Sequence, residues 1–310
     1  MTAVSKFPLL QLPQKEMLRT VRVMDIYQIM SFSLISKRCK KLVQSLQIKD
    51  RCIYVTINTS IYITVYFAGK STNIFFKNSN EDQRRRLKAP QWVNADSHRL
   101  ERIGFECSDW LEHFQTIFHY PSILNIGFYQ GSHEYDLDEI KKVFGATKHL
   151  YARNTGRFSH NLLLLQKFLP IEKLNINPNM FQDLKIPFNI LQQNFSTLDI
   201  ISDHTAVVTL NELLVINSKR ITTKNVRVSA QDLNKFIKLW MNGSNSRMEY
   251  MMILFLNRFQ YDRTMVMKGI RKCNERREGS DLHRMDIYRM DGTRATVSFF
   301  VGGVEIIVEI

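Results

Sequence analysis

Apolar residues recur at helical spacing near the start of the chain and at strand-like spacing over most of its remaining length. Met17, Val21 and Met24 lie at i, i+4 and i+7, and this stripe predicts one face of a helix. Leu12-Pro13 comes directly before it, and proline fits the first turn of a helix because its missing N–H has no partner there anyway. The pattern therefore predicts a first helix that begins at the proline.

Two further short helices are predicted before residue 48. Asp25 can cap the second helix, and either Ser31 or Ser33 can cap the third. The apolar positions of the third helix follow i, i+4, i+7 and i+11 and are Ile35, Cys39, Leu42 and Leu46. Three helices within about forty residues can scarcely bury a core by themselves, so we expect this module to lean on a partner.

Aromatic and β-branched residues dominate the next part of the chain. The runs 52–57 and 61–67 are separated by the turn residues Asn58-Thr59-Ser60, and the run 73–77 comes after a second turn. Such runs predict an antiparallel meander, followed by a polar and basic loop or linker over 78–91.

From residue 99 onward, short strand-like runs recur at intervals of about 23 to 25 residues. The runs are 102–105, 124–128, 149–152, 172–176, 197–200 and, after a shorter gap, 212–216. Helix-like stretches fill the intervals at 108–119, 136–144 and 161–169. A strand followed by a helix at such a period predicts a degenerate leucine-rich-repeat-like region, whose exposed strands form an extended binding face.

The last third of the chain predicts a capped helix and a closing sheet. Ser229 can cap a helix that carries Leu233, Ile237 and Trp240 on one face. Asp291-Gly292 is a hairpin turn between two strand-like runs, and a further glycine turn leads into the final run. The chain is thus predicted to end in a three-stranded antiparallel sheet.

Together these patterns predict an α+β fold in four segments. Residues 1–48 form the three-helix module, and residues 49–98 form the β-meander with its basic linker. Residues 99–260 form the repeat-like β/α region, and residues 261–310 form the C-terminal antiparallel strands.

The net charge widens the range of partners to consider. Lys and Arg number 43 against 29 Asp and Glu, so the formal net charge is +14. A basic chain can bind nucleic acid, a membrane surface or an acidic protein. The excess is spread along the chain, with small clusters at 37–41, 84–88 and 271–277, and this spread favours a generally basic surface.

Cysteine usage and the apolar runs indicate an intracellular protein of the cytoplasm or nucleus. The four cysteines form no CxxC pair and lie at no zinc-like spacing from a histidine, which favours a reducing compartment. The first residues lack the apolar core of a signal peptide, and no run of about 18 apolar residues predicts a membrane span.

No catalytic motif stands out in the chain. It contains no Walker loop, no GxGxxG, no HExxH and no GxSxG elbow. The nearest nucleophile–base candidate is Cys107 with His113 or His119, and a buried thiol beside surface histidines is the simpler interpretation. We therefore expect no catalytic residue, no metal and no cofactor.

The segment from Phe7 to Leu46 resembles the F-box, particularly the form found in the large nematode-expanded F-box family. The matching marks are Leu12-Pro13, Leu18, Met24-Asp25, Ile29, Phe32-Ser33-Leu34 and Ser36-Lys37-Arg38. Many F-boxes carry a tryptophan where Cys39 stands, which is the one visible departure. The resemblance implies docking on a Skp-type adaptor, which links to cullin and RING subunits. The residues that would dock are Leu9, Leu12, Pro13, Leu18, Val21, Met24, Ile29, Phe32, Ser33, Leu34, Ser36 and Leu42.

A second stretch resembles the type 2 F-box-associated domain. The matching pieces are 213–218, 232–236, Trp240, 243–245, 268–270 and 289–296. The residues of these pieces that we expect to be structural are Leu214, Ile216, Leu233, Phe236, Trp240, Asp291 and Gly292. The two modules occur together in this family, so the resemblance covers most of the chain.

The resemblance implies a substrate-recruiting adaptor subunit of a Skp–cullin–F-box type E3 ubiquitin ligase. Its C-terminal region would bind a target protein, which the resemblance does not name. Such a subunit is not an enzyme, because the RING subunit and its ubiquitin-charged enzyme perform the chemistry. A basic nucleic-acid-binding protein without a ligase role is the alternative, and it predicts Lys and Arg clustered on one face.

Overall fold

The computed structural model is an α+β protein that begins with three helices and an antiparallel meander, alternates strands and helices in its middle part, and ends in antiparallel strands. It describes residues 11–48, 53–67, 70–77, 87–88, 91–95, 98–120, 123, 125–254, 262–271, 273–278 and 282–309. The chain divides into two compact units, which are Met1–Ile126 with Glu134–Thr147, and Gly127–His133 with Lys148–Ile310. The four-segment division made from the sequence stays a prediction.

The first unit combines helices with an antiparallel meander. Its helices are α1 (Gln14–Arg22), α2 (Ile26–Ile35), α3 (Lys37–Ser45), α4 (Cys107–Phe118) and α5 (Leu137–Phe144). Its strands are β1 (Ile53–Ile57), β2 (Ile61–Phe67), β3 (Lys70–Lys77), β4 (Trp92–Ala95) and β5 (His98–Leu100), and each pairs with the next. The predicted meander is confirmed and extends by two strands. The strand β6 (Asn125–Phe128) runs across the boundary between the units.

Local capping fixes the ends of the N-terminal helices. Asp25 accepts a hydrogen bond from the Gln28 backbone N–H, and the Gln28 side chain accepts one from the Asp25 N–H, so α2 begins with a complete capping box. The cap of α3 is Ser36, whose hydroxyl accepts from the Cys39 N–H. The prediction of Ser31 or Ser33 as this cap is wrong, because both lie inside α2.

The N-terminal helices pack on α4 of the same unit. Val21, Ile29 and Val43 are fully buried, and α3 packs against α4. The Arg102 guanidinium, from the segment before α4, donates to the Leu34 carbonyl in the last turn of α2 at 3.0 Å. The three-helix module therefore packs against a later part of its own chain. This packing buries apolar surface that three short helices could not bury by themselves.

The second unit alternates strands and helices before closing with an antiparallel sheet. Its helices are α6 (Phe158–Phe168), α7 (Phe188–Leu191), α8 (Leu210–Val215), α9 (Ala230–Met241) and α10 (Arg263–Val266). Its strands are β7 (His149–Ala152), β8 (Lys173–Ile176), β9 (Thr197–Val207), β10 (Arg220–Arg227), β11 (Tyr250–Leu254), β12 (Cys273–Glu278), β13 (Leu282–Tyr288), β14 (Arg294–Phe300) and β15 (Gly303–Val308).

The strands β7 to β11 are parallel and lie in sequence order. Their register aligns His149, Lys173, Thr197, Arg220 and Tyr250 in one row across the sheet. Beyond β11 the pairing becomes antiparallel, through β15, β14, β13 and β12 in turn. The C-terminal antiparallel sheet predicted from the sequence is thus confirmed, and it joins the edge of the parallel strands.

Side chains alternate between the two faces of the parallel strands. Leu150, Leu174, Leu198, Ile221 and Met251 form a row on the inward face, and each is at most 1% exposed. The buried side chains of α6 and α9 complete the core of this unit. Connections between parallel strands need crossovers, and here the crossover helices cover the inward face alone.

Two of the predicted strands are wrong. Residues 212–216 belong mostly to α8, which begins with a capping box between Thr209 and Glu212. The strand of this repeat is β10, which begins at Arg220, and its position makes the spacing regular. Residues 102–105 form a turn, in which Ile103 is fully exposed and Gly104 has a φ of +79°.

The hairpin predicted at Asp291-Gly292 is confirmed between β13 and β14. Gly292 has a φ of +88°, a conformation that side chains other than glycine's disfavour. The Asp291 carboxylate accepts a hydrogen bond from the Thr293 N–H at 2.9 Å, and hydrogen bonds from Arg289 and Thr293 hold the pKa of Asp291 far below its usual range. The turn is therefore specified by local chemistry that the sequence displays.

The alternation of faces on β8 can be tested with two neighbouring substitutions. Leu174→Ala is expected to lower the free energy of unfolding by about 2–5 kcal/mol, because it leaves a cavity in the core. Lys173→Ala is expected to change it by less than about 0.5 kcal/mol, because that side chain is exposed. Urea unfolding followed by circular dichroism measures both, and equal losses at the two positions would contradict the register.

Candidate docking surfaces

The N-terminal helices carry apolar side chains that remain exposed to solvent. Val23 and Ile35 are 84% and 69% exposed. Several predicted docking residues lie with them at the surface or partly exposed. We call this set the N-terminal apolar surface, and it consists of Leu12, Pro13, Leu18, Val23, Met24, Leu34 and Ile35. These side chains are available for contact with a partner protein, although exposed apolar residues also occur in other parts of the chain.

Other predicted docking residues are buried inside the first unit. They are Val21, Ile29, Phe32, Ser33 and Leu42, each at most 9% exposed. These side chains hold the helices in place and so support the N-terminal apolar surface from beneath. Ser36 is partly exposed as the α3 cap, and Leu9 lies outside the described residues. The prediction that Ile35 begins the apolar stripe of the third helix is wrong, because Ile35 is the last residue of α2 and its side chain is exposed.

The outward face of the parallel strands is polar. We call it the open strand face, and its side chains come from two rows that the register aligns. They are His149, Lys173, Thr197, Arg220 and Tyr250, then Tyr151, Asn175, Asp199, Thr222 and Met252. Nearly all are partly or fully exposed, whereas parallel sheets usually carry helices on both faces.

Hydrogen bonds run sideways across the open strand face. Arg153 donates to the Asn175 side-chain oxygen at 2.7 Å, and Asn175 and Thr222 both hydrogen-bond the Asp199 carboxylate. Burial raises the pKa of Asp199, although these bonds act in the opposite direction. The side chains of neighbouring strands are therefore held in fixed positions relative to one another.

A second lateral contact orders the other end of this face. The Arg220 guanidinium lies over the Tyr250 ring, 4.3 Å from its centroid. The Tyr250 hydroxyl is hydrogen-bonded to Glu305 on β15, and burial together with that carboxylate raises the pKa of Tyr250 to about 12. Tyr250 therefore stays neutral and holds the Arg220 side chain along the sheet.

An apolar cleft opens beside the helices of the second unit. Its volume is about 610 Å³, and its lining includes Phe158, Leu162, Phe181, Ile186 and Phe188. Phe158 and Phe188 are each about half exposed. The cleft was not predicted from the sequence, because its walls come from α6, the loop between β8 and α7, and the start of α8.

The thiol considered as a nucleophile is inert. Cys107 is fully buried, and burial raises its pKa far above the usual range, so no thiolate forms. His119, the second base considered, bonds the Gln44 carbonyl through Nε2 at 2.6 Å. The Cys–His chemistry considered from the sequence is therefore not supported.

A buried serine–histidine contact joins α2 to α4. The Ser33 Oγ lies 2.8 Å from the His113 Nε2 and 2.6 Å from the Met30 carbonyl oxygen. Neutral His113 donates its Nε2–H to the Ser33 hydroxyl oxygen, and the Ser33 hydroxyl donates its proton to the Met30 carbonyl oxygen. All three groups are then hydrogen-bonded. Ser33 is 1% exposed, so the pair fastens two helices and offers no nucleophile to a substrate.

Within the ranges that the structure describes, no three His, Cys, Asp or Glu side chains gather as metal ligands. The helices in those ranges are also too short or too polar to cross a bilayer.

The residues expected to be structural lie mainly in the core of the second unit. Ile216, Leu233, Phe236 and Trp240 are at most 2% exposed, and Leu214 is partly buried. The Asn245 amide nitrogen donates to the Leu213 and Ile216 carbonyls, so the end of α9 is tied to the end of α8.

Comparisons with known proteins bear on the family resemblance. A model of the family described as "F-box associated" matches residues 186–253, which run from the cleft through α9 to β11. The chain is also similar to the F-box associated domain-containing protein sdz-33 of Caenorhabditis elegans, at 21% identity over 298 residues, covering 95% of this chain and 94% of the relative. No solved structure matches the chain significantly. The resemblance to the type 2 F-box-associated family is thereby confirmed, and the N-terminal F-box stays a prediction.

The Ser33–His113 pair makes the stability of the first unit depend on pH. Burial, then the nearby Lys40 and Arg102, lower the pKa of His113 from 6.5 to about 4. Between these values the unfolded chain binds a proton that the folded chain excludes. Stability is therefore fully present above pH 6.5 and falls as the pH drops toward 4, by at most about 3 kcal/mol.

Urea unfolding at several pH values measures this dependence. His113→Gln is expected to flatten the loss between pH 6.5 and 4, because it removes the titrating group. Ser33→Ala is the matched control, since it removes the hydrogen bond at a cost of about 1 kcal/mol at every pH and keeps the histidine. An unchanged slope in His113→Gln would show that other groups cause the loss.

Proposed function

We propose that this protein is a substrate-recruiting adaptor subunit of a Skp–cullin–F-box type E3 ubiquitin ligase. The observation that carries the proposal is the F-box-associated match over 186–253 in a chain whose first three helices expose an apolar surface. Each half by itself is compatible with several functions. Their order along one chain favours a protein that holds the ligase at one end and a target at the other.

The N-terminal apolar surface is the proposed docking site for the Skp-type adaptor. Leu12, Pro13 and Leu18 lie at the start of this surface, and Met24 and Leu34 come after them near the helix junctions. Burying such side chains contributes about 25 cal/mol for each Å² of apolar area removed from water. The adaptor would in turn bring the cullin and RING subunits.

The second unit is the proposed target-binding part. Its parallel strands with crossover helices on one side support a leucine-rich-repeat-like interpretation of the region 99–260. In such solenoids the strands line an extended surface on which partners bind. The open strand face has this position, and its side chains are already ordered by lateral bonds.

The protein would contribute proximity and no chemistry of its own. Holding a target close to the ubiquitin-charged enzyme replaces a bimolecular encounter by an effectively intramolecular one. The buried Cys107 and the satisfied Ser33–His113 pair support this non-catalytic role.

Capture of a purified Skp-type adaptor by the full-length protein tests the proposal. Leu12→Ala combined with Pro13→Ala is expected to reduce capture by at least about tenfold, because it removes apolar contact at the start of the surface. Ile103→Ala is the matched control, since it removes an exposed apolar side chain elsewhere in the same unit.

Substitutions suit this test better than deletion of residues 1–48. Deletion would uncover α4 and break the Ser33–His113 contact, so a loss of function could reflect unfolding. Failure of the wild type to capture the adaptor, or equal capture by the double variant, would refute the docking role.

A further inference from the structure

In the described part of the chain, two cations on the open strand face, Lys173 and Arg220, form no ion pair, although Lys173 lies within electrostatic range of Asp199 and Glu172. Nearby, Lys148 pairs with Glu172 at 2.7 Å and Lys219 pairs with Glu249 at 2.6 Å, each at the beginning of a strand. Among the described residues, Lys173 and Arg220 take part in no such ion pair, and both are exposed. The chain thus neutralises the cations beside this row and leaves these two available.

Thr197 lies between these two cations in the same row. The register pairs Lys173 with Thr197 and Thr197 with Arg220 on adjacent parallel strands. Adjacent strands are about 4.8 Å apart, so the two cations start about 10 Å apart with a hydroxyl between them. Long side chains at this separation can converge on one carboxylate or phosphate group, and the threonine hydroxyl can donate to it.

One member of the arrangement, Arg220, is ordered before any ligand binds. Arg220 rests on the Tyr250 ring, which Glu305 fixes from the next strand, so little side-chain freedom is lost on binding. On the other side of Lys173, burial and the lysine itself lower the pKa of His149. The two cations, Lys173 and Arg220, create a positive potential that favours binding of an anion.

We propose that Lys173, Thr197 and Arg220 form a binding site for an acidic side chain of an extended segment of the target protein. The segment would lie across the parallel strands, with its carboxylate or phosphate between the two cations. One row further along, hydrogen bonds from Asn175 and Thr222 favour the charged form of Asp199, so this carboxylate opposes an anion that extends beyond the first row. The proposal rests on the proposed function only in taking the ligand to be a target protein.

Peptide selection by the full-length protein tests the site without any ligase component. A random peptide library is expected to be enriched in Asp and Glu, and fluorescence anisotropy then gives the affinity of a selected peptide. Lys173→Glu combined with Arg220→Glu is expected to weaken this affinity at least about tenfold and to shift selection toward Lys and Arg. Replacing the key Glu of the peptide by phosphoserine is expected to keep or raise the affinity.

The matched control is Lys235→Glu, which reverses an exposed charge on α9, on the helix side of the same unit. It is expected to leave the affinity essentially unchanged, and circular dichroism checks that all variants fold. Absence of acidic enrichment would overturn the proposal, as would equal losses in the face variant and the control. Tighter binding of a single-stranded RNA, lost in the same double variant, would also overturn it. Because no Skp-type adaptor is present, failure of adaptor capture and failure of peptide binding are distinguishable.

Discussion

The parallel register of five strands, β7 to β11, determines the character of the second unit. Successive side chains in a strand point to opposite faces, so register fixes entire rows at once. The register places one row of side chains in the core, namely Leu150, Leu174 and Leu198. It places the neighbouring row on the solvent side, namely Lys173, Thr197 and Arg220. A slip of one residue in β8 or β10 would put a lysine or arginine into the core, so the core and the proposed binding face depend on the same backbone hydrogen bonds.

The N-terminal module depends on a different kind of constraint. Three short helices bury little apolar area, and here α4 supplies the missing surface. The Ser33–His113 hydrogen bond fixes how α2 is oriented against α4. A buried hydroxyl and a buried imidazole would each destabilise the fold if they were left without a hydrogen-bond partner. The proposed docking surface is therefore carried by the whole first unit, and changes in α4 can affect docking without touching the adaptor.

The open strand face combines exposure with order. Exposed polar side chains usually sample many rotamers, and binding must then restrict them. Here Arg153, Asn175, Asp199 and Thr222 restrict one another, and Tyr250 restricts Arg220. Such a surface favours a partner whose charges match positions that already exist, in keeping with the proposed target-binding role.

Local sequence chemistry by itself determined much of this protein. The cap at Asp25, the turn at Asp291-Gly292, the strand 149–152 and the recurrence that continues at 173–176 and 197–200 were all predicted from residue types and spacing. The cap and the turn succeed because each depends on neighbours within a few residues, such as a side chain that satisfies a helix N–H or a glycine that accepts a positive φ. The strands were recognised from their apolar runs and the spacing between them. The family resemblance, carried by short motifs, was likewise visible without coordinates.

Tertiary structure alone decided the rest. The Thr209–Glu212 capping box that begins α8 is local and could be recognised in the sequence, whereas the pairing with β9 that selects 220–227 as the strand exists only in the folded protein. Burial of Ser33, exposure of Ile35 and the row of Lys173, Thr197 and Arg220 depend on residues far away along the chain. A short apolar run has similar local energy as helix or strand, so the contacts that choose between them, and that bring distant side chains into one site, exist only in the folded protein.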